Sequence, residues 1–84
     1  MSQNQADEIR TAIATLLEAA KEVGAVRVVF RAEDVSEAVV GTASNHPNVL
    51  SALTGTKMRE QTGFGPGKSD RDYQSSAALI SFEI

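Results

Sequence analysis

The stretch from Thr62 to Asp70, TGFGPGKSD, closes on Gly67-Lys68-Ser69, the last letters of a phosphate-binding loop. In such a loop the glycines let successive backbone amides point at phosphate oxygens, and the lysine and hydroxyl complete the cradle. The full pattern, G-x-x-x-x-G-K-[ST], puts its first glycine where this chain has Thr62, and Gly63 falls one place late. The residues that follow, SDRDYQSS, make a poor amphipathic helix, so no helix N-terminus is positioned to face a phosphate. No apolar strand ending in aspartate is placed to hold magnesium, and 84 residues do not supply the parallel sheet of a nucleotide hydrolase. Hydrolysis is therefore not expected.

A simpler chemistry fits the same residues. Gly63, Gly65 and Gly67 alternate around Phe64 and Pro66, with Lys68 and Arg71 beside them and Lys57 and Arg59 on the preceding segment. Amides gathered in a nest, with Lys68 or Arg71 as counter-charge, would hold the anionic part of a phosphate-bearing molecule. If that molecule were a nucleotide, Phe64 or Tyr73 would stack on its base. The plainer expectation is a loop or hairpin tip in which glycine supplies turn geometry and the charges keep it solvated.

Other reactive side chains are sparse. His46 is the only histidine and there is no cysteine, which leaves no multi-histidine metal site and no thiol nucleophile. Acid–base work by His46 would need Ser44, Ser51 or a carboxylate at hydrogen-bond distance, whereas its place before Pro47 already fits a helix entrance. Glu33, Asp34 and Glu37 cluster as a solvated turn would. No catalytic residue, metal or cofactor is expected. Arg27 and Arg31 flank Val29 on one side of a strand, where they either form a stripe for an acidic protein or a phosphate, or simply solvate an exposed sheet face.

The elements that must position these residues are legible from periodicity. Ile9, Ile13, Leu16, Leu17 and Ala20 recur at helical spacing, which predicts an amphipathic helix from Gln5 to Val23. Ser2 or Asn4 would cap its start, Asp7 and Glu8 suit its positive end, and Gly24 would end it. Ala25 to Ala32 alternates as a strand with Val26, Val28 and Phe30 on one face. Glu33-Asp34 then serves as a reversal, and the β-rich Ser36 to Ala43 completes an antiparallel hairpin, with Gly41 marking a bulge or a close backbone approach. Pro47 opens a short helix with Val49, Leu50 and Leu53 on its apolar stripe, broken at Gly55. Residues 56–64 fit either a continued helix or a strand. Ala78, Ile80, Phe82 and Ile84 alternate as a final strand, which must be central in the sheet or pair with another chain because so apolar a strand makes a poor open edge.

The expected fold is a small two-layer α+β domain of order α-β-β-α-(β)-β, a single domain over 1–84, with the N-terminal helix packed on an antiparallel sheet. A domain this small has a thin stability margin, and with no disulfide to staple it, self-association is the expected supplement. Its net charge of −3 argues against general nucleic-acid binding. Neither a signal peptide nor an apolar run of membrane-spanning length is visible, so a soluble, cytoplasmic protein is expected. The expected function is a small non-enzymatic protein-interaction module, a homo-oligomer of accessory or inhibitor type that also takes a protein partner. The alternative is a small-ligand binder that holds a phosphate-bearing molecule on the loop 62–71. Its site residues would be Gly63, Phe64, Gly65, Gly67, Lys68 and Arg71, while the interaction surface would centre on Arg27 and Arg31.

Overall fold

The computed structural model describes residues 3–71 and 75–84. The first helix, α1, runs Gln3–Glu22 and buries Ile9, Ile13 and Leu17 along one stripe. It starts earlier than expected, so Asn4 lies within the helix, and Ser2 lies outside the described residues. Leu16 departs from the expected stripe and is exposed. Gly24 follows the helix, its amide bonded to the Lys21 carbonyl.

Strand β1, Arg27–Arg31, lies within the expected segment. Its expected hairpin partner is not a strand. The chain turns straight from Arg31 into α2, Ala32–Val35, which continues as a π-helical turn over Ser36–Val40. The reason is visible in spacing: Ala32, Val35, Ser36, Val39 and Val40 recur at three and four residues, and the first three are buried. Glu33 and Asp34 sit in the first turn, where a helix favours carboxylates, rather than forming a strand reversal. Gly41 is neither a bulge nor a close approach. It takes φ 97° and ends the helix, its amide donating to the Ser36 and Glu37 carbonyls, in space that is otherwise open.

A short 3-10 turn, Ala43–Asn45, leads into α3, His46–Thr54, with Pro47 in its first turn. Gly55 breaks the helix in an extended conformation, as expected, and α4, Lys57–Thr62, settles the ambiguous segment as helical by burying Met58. Two strands remain, β2 over Lys68–Ser69 and β3 over Leu79–Glu83.

The sheet order is β1-β3-β2, with both pairings antiparallel. The last strand is thus the central one, the first of the two arrangements its alternation allows. Val28 lies opposite Phe82 and Phe30 opposite Ile80, so these four side chains share the inner face. Phe30 meets Phe82 edge-on, with ring centroids 6.0 Å apart and planes at 77°, a geometry worth about 0.5–1.5 kcal/mol beyond area burial. The inner face belongs to one core with Ile9, Ile13 and Leu17 of α1, Val49, Leu50 and Leu53 of α3, and Met58 of α4. The α+β class and the helical layer over an antiparallel sheet therefore stand, while the element order changes.

One core feature is polar. Arg10 is nearly buried and donates to the Asp7 carboxylate at 2.9 Å, the Ala52 carbonyl at 3.2 Å and Gln61 Oε1 at 3.0 Å. It ties α1 to α3 and α4, and burial is tolerable because each of these contacts supplies an acceptor to the charged group.

The glycine-rich segment closes the core at the edge of β3. A Cβ built on Gly67 would lie 2.7 Å from Ile80 Cγ2, 2.8 Å from Phe82 Cζ and 3.1 Å from the Leu53 carbonyl oxygen. Gly67→Ala is therefore expected to cost about 1–3 kcal/mol in urea unfolding, whereas the exposed neighbour Lys68→Ala should stay within about 0.5 kcal/mol of wild type. Equal midpoints for the two variants would show that the segment is not packed as described.

Candidate functional site

Three amides of the glycine loop are engaged within the protein and are not available to an anion nest. Gly63 N–H donates to the Arg59 carbonyl at 2.9 Å, Phe64 N–H to Thr62 Oγ1 at 3.2 Å and Gly67 N–H to the Leu53 carbonyl at 2.8 Å. The Gly65 carbonyl accepts from Arg59 Nε at 2.6 Å, which occupies one of the cations that a ligand would recruit. A Cβ on Gly65 would also crowd Met58 and Phe82. Gly65 and Gly67 answer the demand of the aromatic and aliphatic groups beneath them for close backbone approach, whereas Gly63, at φ 83°, caps α4 in open space.

Gly65, Gly67 and Lys68 of the expected ligand site line one depression of about 300 Å3 with Arg59, Pro66, Ser81 and Glu83, whereas Phe64 and Arg71 lie outside it. Phe64 is half-buried against the core and borders a shallow depression with Glu18, Lys21 and Glu22 of α1. Lys68 turns onto the sheet instead, in register with Ser81. Arg71 is exposed, with its Nε 3.8 Å from Asp70 Oδ2, and its backbone N–H donates to Ser69 Oγ. Tyr73 lies outside the described residues. His46 Nδ1 lies 3.2 Å from the Ala43 carbonyl at the start of α3, in keeping with a helix entrance.

The fold also brings Lys68 onto the same sheet face as the strand arginines. The outer face of the sheet carries Arg27, Val29 and Arg31 from β1, Leu79, Ser81 and Glu83 from β3, and Lys68 from β2, as the registers require. No helix covers it among the described residues: Val29 is 47% exposed and Leu79 38%. Arg27 and Lys68 frame a concavity of about 320 Å3 with Val29, Leu79, Ser81 and Asp70 also in its lining. Asp70 is partly spoken for, since its Oδ1 accepts the Leu79 amide at 2.8 Å. Arg27 and Lys68 make no ion pair among the described residues, and Arg31 has only an exposed contact with Glu33 at 3.7 Å. Exposed pairs of this kind contribute about 0–1 kcal/mol and exchange readily.

Around the free side of β1 the surface changes character. Ala12 and Leu16 of α1, Phe30 of β1, and Val35, Ala38 and Val39 of the following helix line a mainly apolar groove of about 260 Å3, with Arg31 and Asp34 also in its lining. Val29 borders both this groove and the outer concavity. Helical spacing assigns Leu16 to the core, and its exposure at the rim of α1 is the one sequence-visible sign of this groove. The Ala38 and Val39 side has no such sign, because a valine-rich segment reads as a strand.

Among the described residues there is no cluster of three or more histidine or carboxylate side chains able to hold a metal ion, and no helix long and apolar enough to cross a membrane. Comparison with protein families, curated proteins and solved structures found no match for the chain.

The engaged amides give a direct expectation for the loop. Millimolar inorganic phosphate, or mono-, di- and cyclic nucleotides, should leave the thermal midpoint unmoved. A midpoint rise that disappears in the double variant Lys68→Ala with Arg71→Ala would restore the loop as a ligand site.

Proposed function

We propose that this chain is a non-enzymatic protein-docking module whose docking surface is the outer face of its sheet. The observation that carries this is the combination at that face: exposed apolar Val29 and Leu79 set among Arg27, Arg31 and Lys68, cations that outnumber the Glu83 and Asp70 carboxylates there, in a chain whose net charge is −3. A positive patch with an apolar floor complements an acidic surface that carries apolar side chains of its own. Such complementarity steers encounter and excludes like-charged partners. An isologous contact through this face sets one cationic patch against the same patch of a second copy, so the favoured partner is a different, acidic protein.

Selection from a randomised peptide display library tests this with the partner's identity left open. Enriched sequences should be acidic with interspersed apolar residues, should release as salt is raised, and should not bind the charge-reversed variant Arg27→Glu with Lys68→Glu. Enrichment of sequences that bind the reversed variant equally well would refute the outer face as the docking surface.

Self-association is a second reading, favoured by a different observation. The terminal strand does not support it, because β3 is paired on both edges within the chain. At the turn between α1 and β1, however, Val23 is 85% exposed and Val26 76%. If these residues join copies, sedimentation should show an oligomer that Val23→Ser with Val26→Ser reduces to monomer while the Arg27 and Lys68 variant does not. A wild-type monomer at high micromolar concentration would remove this reading.

A further inference from the structure

Strand β1 is an edge, and its hydrogen-bonding phase fixes which of its groups remain unpaired. Ile84 N–H donates to the Val26 carbonyl, and Ala32 N–H donates to the Ala78 carbonyl. In an antiparallel ladder the pairs that exchange hydrogen bonds alternate, so Val28 and Phe30 direct their N–H and C=O groups at Phe82 and Ile80. The N–H groups of Arg27, Val29 and Arg31 and the C=O groups of Arg27 and Val29 point the other way, and no backbone partner meets them among the described residues; the Arg31 carbonyl, at the N-cap of α2, serves the first turn of that helix. Three donors and two acceptors thus form an open template flanked by side chains of opposite character: cations on the outer face, the mainly apolar groove of Leu16, Phe30 and Val39 on the inner side.

We infer that β1 accepts an extended segment of an acidic partner as a fourth, antiparallel strand, in the alternation acidic–apolar–β-branched–apolar–acidic. This rests on the docking function proposed above and adds its mode and sequence. Register dictates the pattern. Partner residues hydrogen-bonded to Arg31, Val29 and Arg27 place their side chains on the outer face, so the two end positions meet guanidinium groups and the middle one meets Val29. The two intervening residues face inward, over the groove, opposite Phe30 and Val28. Backbone pairing supplies affinity and the alternate side chains supply specificity, the division of labour in strand addition.

A second copy of β1 is the poorer occupant. Antiparallel pairing centred on Val29 sets Arg27 directly opposite Arg31 of the other chain and repeats that clash at the other end, and like charges directly opposite are destabilising. The arginines thus act as guards against self-pairing at this edge and as selectors for carboxylates. Arg31 exchanges its exposed contact with Glu33 for the incoming group.

The test uses the intact protein and a synthetic peptide with Glu-Val-Thr-Val-Glu at its centre. Binding should be about tenfold tighter than for the matching Lys-Val-Thr-Val-Lys peptide, and hydrogen exchange at the amides of Arg27, Val29 and Arg31 should slow on binding while those of Val28 and Phe30 change little. N-methylation of the peptide's threonine and second glutamate, whose amides meet the Val29 and Arg27 carbonyls, should abolish binding, and N-methylation of its two valines should not. Val29→Pro, which removes an outward N–H from an edge strand, should block binding if the variant folds; the methylated peptides decide the matter if it does not. Binding that is lost in Arg27→Glu with Lys68→Glu but tolerates N-methylation on either side would overturn strand addition and leave the docking face standing. No binding by either peptide, with display selection still yielding ligands of the outer face, would also overturn it. A selection that yields no ligand of that face removes the underlying docking function itself.

Discussion

The last strand has to serve as the middle of the sheet and the floor of the core at once, and most of the molecule follows from that double duty. Ile80 and Phe82 are fully buried on its inner face, each worth about 1.5–3 kcal/mol when removed from water. For them to be covered, the helices must lie on one side only, and the chain must pass the free edge of the strand closely enough to seal it. Gly65 and Gly67 make that passage, and their lack of side chains is a packing requirement imposed by Phe82 and Ile80. With the helices committed to the inner face, the outer face is left with nothing to cover it.

How far the sequence discloses this depends on whether a signal is local. The alternation of Ala78, Ile80, Phe82 and Ile84 and the 3.6-residue stripe of α1 are local patterns backed by burial, and both elements form where they point. The break at Gly55 is also local, since a glycine between two short helices needs no distant partner to end one. Ser36 to Val40 misleads because valine-rich stretches favour strands on average, yet Ala32, Val35, Val39 and Val40 carry helical spacing once Glu33 and Asp34 are seen as a first turn. Propensity yields to the face that has to be buried.

The candidate site is legible only in pieces. Arg27 and Arg31 on one side of a strand follow from period two, and Lys68 beside a glycine run is plain in the sequence. That Lys68 sits across Ser81 from Val29, on the face that carries Arg27, depends on two registers, which no local pattern specifies. Glycine spacing points to a ligand because a phosphate cradle and a tight packing contact demand the same residue for the same reason, the absence of a Cβ. Only the destinations of the amides separate the two, and those of Gly63, Phe64 and Gly67 end inside the protein. Arg10 shows the converse case. A helix arginine has no sequence mark of burial, because its acceptors on Ala52 and Gln61 are more than forty residues away.

Charge then decides what the open face can do. An acidic chain keeps its surfaces apart from one another by repulsion, and three of its cations are grouped where the backbone is least protected. An edge strand with neutral side chains would offer its unpaired groups to any extended segment, including its own copy. Arginine at both ends of β1 changes that from a general liability into a condition: the backbone groups are available only to a segment that brings negative charge to the two matching positions. The apolar groove on the inner side adds a second condition, because a segment acidic throughout would bury carboxylates against Leu16 and Phe30 without a partner, which is costly. Selectivity therefore comes from the strand's two faces disagreeing about polarity, a property created when α2 turned away from the sheet and left β1 as its edge.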